Sequence, residues 1–144
     1  MTYDASTHML TLDVTFSGLE APTTASLIHC CVTPPGAAGV ATTVPSFPGF
    51  PLGVTSGSYV HTLDLTQASC WNPAFVTANG GTVAGAEAVL AAGLNAGDAY
   101  LNIHTAMFPG GEISGFLTPE PTTAVLLGAG LAGLAVARNR ERAG

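Results

Sequence analysis

The chain has 144 residues, a formal net charge of −6 at pH 7 and only 8% charged residues. That length suits one domain with a usable core plus an appendage. It contains no lysine, and its arginines, Arg138, Arg140 and Arg142, all lie beyond residue 137. The body has no cations to set against phosphates, which excludes nucleic-acid binding.

Residues 1–8 show neither the charged nor the apolar part of a signal peptide. Tyr3-Asp4-Ala5-Ser6-Thr7 reads as the end of a strand and a turn, so the expectation is a sequence truncated inside its first hairpin. Met9–Phe16 is the first clear strand, with Leu10, Leu12, Val14 and Phe16 on one face and Thr11, Asp13 and Thr15 on the other. Ser17-Gly18-Leu19 ends it, and residues 23–32 form another strand. Pro34-Pro35-Gly36 opens a long loop to about Gly57, whose prolines preclude regular pairing over much of its length. Phe47 and Phe50 within that loop are expected to staple it to the body, the alternative being a contact surface.

Residues 59–65 form a further strand. Asn72 caps a short helix with Pro73 at its first position, running over 73–78 and stopped by Asn79-Gly80-Gly81. Thr82 caps a second helix over 83–92 that Gly93 ends. Both are expected to decorate the connection between strands without joining the core. Residues 100–117, YLNIHTAMFPGGEISGFL, then read as a β-hairpin. Leu101 and Ile103 alternate with Tyr100, Asn102 and His104, the period of a half-buried strand. Pro109 and Gly110 occupy the central positions expected of a type II turn, with positive φ at Gly110. Past the turn, Ile113, Gly115 and Leu117 share one face.

The candidate chemistry centres on histidine. His29 and His104 occupy central strand positions, and with Cys31 they are the candidate ligands for copper or zinc. The competing reading is buried histidines hydrogen-bonded to backbone or threonine. His8 and His61 read as ordinary strand or turn residues. Three cysteines permit one disulfide. Cys70 with Cys30 or Cys31 would close a loop worth about 3–4 kcal/mol in the chain-entropy model; a Cys30–Cys31 bond is the less favoured pairing. Asp13, Asp64, Glu87 and Glu112 show no spacing that marks paired catalytic carboxylates, and no nucleophile, zinc-protease or phosphate-loop motif occurs, so no enzyme is expected.

The tail reads TPEPTTAVLLGAGLAGLAVARNRERAG. Residues 122–137 are uncharged and apolar, slightly short of the about twenty residues that span a hydrocarbon core, and arginines follow at once. Long basic side chains extend the reach of such a helix, and the arginine end is expected to stay cytoplasmic.

Two resemblances follow from these residues. Asn102-Ile103-His104-Thr105 with Phe108-Pro109-Gly110-Gly111-Glu112-Ile113 and Gly115 resembles the C-terminal signature of CHRD domains, and residues 10–19, Ile28-His29 and 95–100 are similar to other parts of that family. This implies a Greek-key β-sandwich of the immunoglobulin or superoxide dismutase kind. The histidine pattern departs from the H-x-H pair that superoxide dismutases require. Pro119-Glu120-Pro121, the apolar segment and the arginine cluster resemble the PEP-CTERM sorting signal, which implies processing by an exosortase. The reading is therefore an all-β sandwich domain over 1–117 with two short helices. A sorting tail follows over 118–144, comprising the motif at 119–121, a transmembrane-type helix at 122–137 and a basic end at 138–142. The expected function is that of a non-catalytic surface or matrix protein without a cofactor. It would be held transiently in the inner membrane through 122–137, then be placed outside, where exopolysaccharide or matrix proteins are its expected contacts. The alternative is a copper- or zinc-binding extracytoplasmic domain.

Overall fold

The computed structural model describes residues 1–33 and 35–118. Six strands form two antiparallel sheets of three. In one, β1 (Thr2–Asp4), β2 (Met9–Phe16) and β4 (Gly57–Asp64) lie in that order. In the other the order is β3 (Thr23–His29), β5 (Tyr100–Thr105) and β6 (Ile113–Phe116). The chain therefore changes sheet after β2, again after β3 and again after β4, and β2 pairs with β4 while β3 pairs with β5. The inner faces meet in one core. Leu10, Leu12, Phe16, Tyr59 and Leu63 come from the first sheet, and Ile28, Leu101 and Ile103 from the second. The alternation in Met9–Phe16 is the one its sequence dictates, with Asp13 outward. The segment before it forms the expected strand and turn, with Thr2 opposite Thr11 and Asp4 opposite Met9.

The long loop packs as a staple. Phe47 and Phe50 are buried, Phe50 stacks on Phe16 with centroids 5.5 Å apart, and both rings contact Tyr59. The same loop covers the free edge of β3. Ser46 Oγ accepts from Ser26 N, Thr42 Oγ1 accepts from Ile28 N, and Cys30 N donates to Gly39 O. Unpaired N–H groups on an edge strand invite association with another chain, and this loop satisfies them. A contact-surface role for the two phenylalanines does not survive their burial.

The connection between β4 and β5 carries α1 (Pro73–Ala78) and α2 (Val83–Ala96). Asn72 Oδ1 accepts from Ala74 N and Thr82 Oγ1 from Gly85 N, the two caps that the sequence announces. Two expectations fail here. Gly93 does not end α2, which continues to Ala96 and stops at Gly97 in the left-handed conformation. Nor is either helix a decoration, because Phe75 of α1 joins the core, as do Ala86, Leu90 and Leu94 of α2. The i, i+4, i+8 spacing of these α2 residues is that of a core-facing stripe. Gly93 lies on the buried side because a Cβ there would stand 2.5 Å from the sulfurs of both Cys30 and Cys31.

Among the described residues no helix is long and apolar enough to cross a membrane. The transmembrane-type helix expected at 122–137, the motif Pro119-Glu120-Pro121 and the basic end Arg138, Arg140 and Arg142 lie outside the described residues.

Candidate functional site

In register, His29 is opposite Tyr100, Leu27 opposite Asn102 and Ala25 opposite His104. Paired residues point to the same side, so all six occupy the face of this sheet turned away from the core. An outer face is normally wet, and the alternation in β5 suggested as much. Instead Tyr100 and Asn102 are buried, and His29 is only 9% exposed. Two loops account for this. The segment after β3 lays Ala38 across the sheet, where its N–H donates to Tyr100 Oη at 3.1 Å. The turn between β5 and β6 folds back from the other side, where Asn102 Nδ2 donates to Gly110 O at 3.1 Å and Ser114 Oγ donates to Asn102 Oδ1.

That turn is closed by Gly111 N donating to Phe108 O at 3.0 Å. The positive φ expected at Gly110 falls on Gly111 instead, at 114°. A side chain there would collide with the Asn102 amide. Gly111 thus serves both the backbone conformation and the close approach of the turn to the sheet.

The two loops also fix the histidines. His29 Nδ1 lies 2.9 Å from Ala38 O, and His104 Nδ1 lies 2.9 Å from Pro109 O. A carbonyl oxygen only accepts, so each Nδ1 carries a proton, and in the neutral form of either ring the lone pair is at Nε2. Both Nε2 atoms are buried, and neither meets a hydrogen-bonding partner among the described residues. The ring centroids are 5.7 Å apart, and Tyr100 stacks on His29 at 5.1 Å with the planes 7° from parallel. Burial pushes the His29 pKa down and the neighbouring His104 adds to this, against the opposing effect of the bond to Ala38. Beside the rings, Pro35, Gly36, Ala37, Tyr100, Asn102, Gly110, Ser114 and Phe116 line an open groove of about 360 Å³.

The structure thus brings His29 and His104 together and leaves Cys31 out. The third candidate ligand lies against α2, its sulfur 3.5 Å from Val89 O and joined to Cys30. The expected pairing of Cys70 is likewise replaced by a Cys30–Cys31 disulfide, with Cys70 free. The strand expected over 23–32 would have pointed neighbouring Cys30 and Cys31 to opposite faces. The strand ends at His29, and the pair leaves it to pack on Gly93. Burial, helped by the Asp64 charge, pushes the Cys70 thiol up.

The carboxylates are dispersed and structurally engaged. Glu87, buried on α2, accepts from Tyr3 Oη at 2.8 Å and pairs with His8 Nδ1 at 2.9 Å. Burial, then the Glu87 contact, pushes the Tyr3 pKa up to about 12. Asp64 accepts from Thr66 and Gln67, and Glu112 accepts from Glu20 N and Thr105 Oγ1. The burial of Glu87 was missed in the sequence, although its place between Ala86 and Leu90 on the apolar stripe was an available signal. The carbonyls of Ala38 and Pro109 carry no side-chain signature and could not have been found.

Comparison with known proteins places the whole described domain. The family model for the CHRD domain matches residues 1–117, and the PEP-CTERM protein-sorting motif matches residues 117–140. No curated protein and no solved structure matches the chain. With most of its length inside the first of these matches, the chain belongs to the CHRD domain family, and it carries a PEP-CTERM protein-sorting motif at its C-terminal side.

Proposed function

We propose that the protein is a non-catalytic, exported surface or extracellular-matrix protein delivered by an exosortase-type sorting route. The observation that carries this reading is the sorting-motif match over 117–140, directly after the CHRD match ends. It follows the last backbone bond of the sandwich, from Leu117 N to Ala99 O at 2.9 Å.

In this reading the apolar segment at 122–137 holds the protein in the inner membrane. The basic end at Arg138, Arg140 and Arg142 stays on the cytoplasmic side, where positive residues are retained. A transpeptidase-type enzyme recognises Pro119-Glu120-Pro121 and removes the tail, which leaves the lysine-free body outside in contact with exopolysaccharide or matrix proteins. In this reading Asp64, Glu87 and Glu112 are structural, each engaged in hydrogen bonds within the fold. The interleaved pairing of β2 with β4 and β3 with β5 supports the Greek-key, superoxide dismutase-like form of the sandwich.

Intact mass of the mature protein from the native host's surface fraction tests the proposal. A mass lacking everything beyond about Glu120 is expected. Retention of 138–144 would overturn the sorting route and leave a permanently anchored module.

A further inference from the structure

We propose that His29 and His104 form a two-imidazole binding site for a single Cu(I) ion on the covered outer face of the β3–β5–β6 sheet. The argument begins with the two nitrogens left over. A buried polar atom without a partner loses its hydration and gains nothing in exchange. Here two such atoms, both Nε2, belong to rings whose centroids are 5.7 Å apart. Two Nε2–metal bonds of about 2.0–2.1 Å, with the ring radii at either end, reach somewhat further than this, so both rings lie within range of one ion held in a bent arrangement.

The supporting shell has the form that metal-binding histidines use. A ligating imidazole donates its other N–H to a carbonyl or carboxylate, which sets the tautomer and holds the ring. His29 does so to Ala38 O and His104 to Pro109 O, each at 2.9 Å. Both acceptors come from loops that are themselves tied to the sheet through Tyr100 and Asn102. His29 is further held by the Tyr100 ring stacked on it.

Ligand number selects the ion. Zinc sites take four ligands, or three and a water. Among the described residues no group of three or more His, Cys, Asp or Glu side chains converges on one point. Cu(I) is a closed-shell ion with no strong geometric demand that accepts low coordination numbers, and imidazole suits copper. The site therefore matches a low-coordinate ion in a water-poor setting. It makes no use of the sorting motif, so it stands or falls independently of the proposed export route.

The test uses the full-length chain in detergent micelles, titrated anaerobically with a Cu(I)–acetonitrile salt against a chromogenic Cu(I) chelator. Histidine side-chain ¹⁵N–¹H correlation spectra are recorded in parallel. The expected result is one Cu(I) per chain, with both rings in the Nδ1–H tautomer before loading. On loading, the Nε2 signals of His29 and His104 move while those of His8 and His61 stay. His104→Ala should weaken binding at least about 10–100-fold, the range that loss of even an outer-shell partner produces. His61→Ala and Cys70→Ser should leave it unchanged. Because His29 is buried and its removal puts folding at risk, the wild-type spectra decide that position. Three results would each overturn the proposal: no Cu(I) uptake, uptake that Cys70→Ser abolishes while the His29 and His104 signals stay still, or full affinity in folded His104→Ala.

Discussion

Gly111, Asp64 and the tyrosines show how single side chains carry definite consequences. Gly111 combines a positive φ with contact against the Asn102 amide, so any side chain meets both backbone strain and a collision. Gly111→Ala is expected to destabilise by more than about 1 kcal/mol in urea unfolding, whereas Gly110→Ala, with open space around it, should change little. The Asp64 carboxyl is held below the usual carboxylate range by the Thr66 hydroxyl, then by the Thr66 N–H and Gln67. A depressed carboxylate pKa means that the unfolded chain binds more protons, so its stabilisation is present above the unfolded value and is lost as pH falls through the folded one. Asp64→Asn should therefore flatten the acid limb of stability against pH below about 4, read from urea midpoints at successive pH values. At the alkaline end, burial pushes Tyr59 and Tyr3 up to about 12. These phenols favour the neutral form in the fold, a contribution present below pH 10 and lost as pH rises toward 12. Absorbance titration of the native protein should show both ionising late, and Glu87→Gln should bring Tyr3 back toward its ordinary value.

Among the elements, α2 departs furthest from its first reading, whereas the long loop before β4 packs as the staple expected of it. The composition of α2, rich in alanine with glycines inside it, looks like filler between strands. The three positions that face the sandwich are nonetheless among the most buried of the protein. Leu90→Ala is expected to cost about 2–5 kcal/mol by chemical denaturation, as for other fully buried leucines. Gly93→Ala should also destabilise, against the usual helix preference for alanine, because its Cβ would enter the space of the Cys30–Cys31 pair. For the loop, Phe47→Ala should cost about 3–5 kcal/mol, since it removes a ring packed on Tyr59 and loosens the cover over the β3 edge. A loss below about 1 kcal/mol would mean that the loop is not part of the core. Strand boundaries were legible where alternation is strong, as in Met9–Phe16. They were not legible at 30–32, where apolar cysteines and valine continue the pattern of β3 after its pairing has ended.

For the molecule as a whole, the sandwich and the tail are expected to behave as separable parts. The family match of the sandwich ends at residue 117, where the sorting-motif match begins, and residues up to Leu117 assemble its core. A chain ending at Thr118 should therefore unfold in one cooperative urea transition. A broad, non-cooperative transition would show that the tail contributes to the fold. The order of motifs along the chain carried the family, the class of fold and the sorting tail, because these depend on local pattern: period-two alternation, cap residues, and a Pro-Glu-Pro stretch before an apolar run. Only the tertiary structure decided which groups meet. That α2 belongs to the core, that Cys31 sits on a helix instead of beside the histidines, and that His29 and His104 share one covered face all follow from strand order and loop path. These relations link residues tens of positions apart through backbone carbonyls that have no side-chain signature, and local pattern contains no record of them.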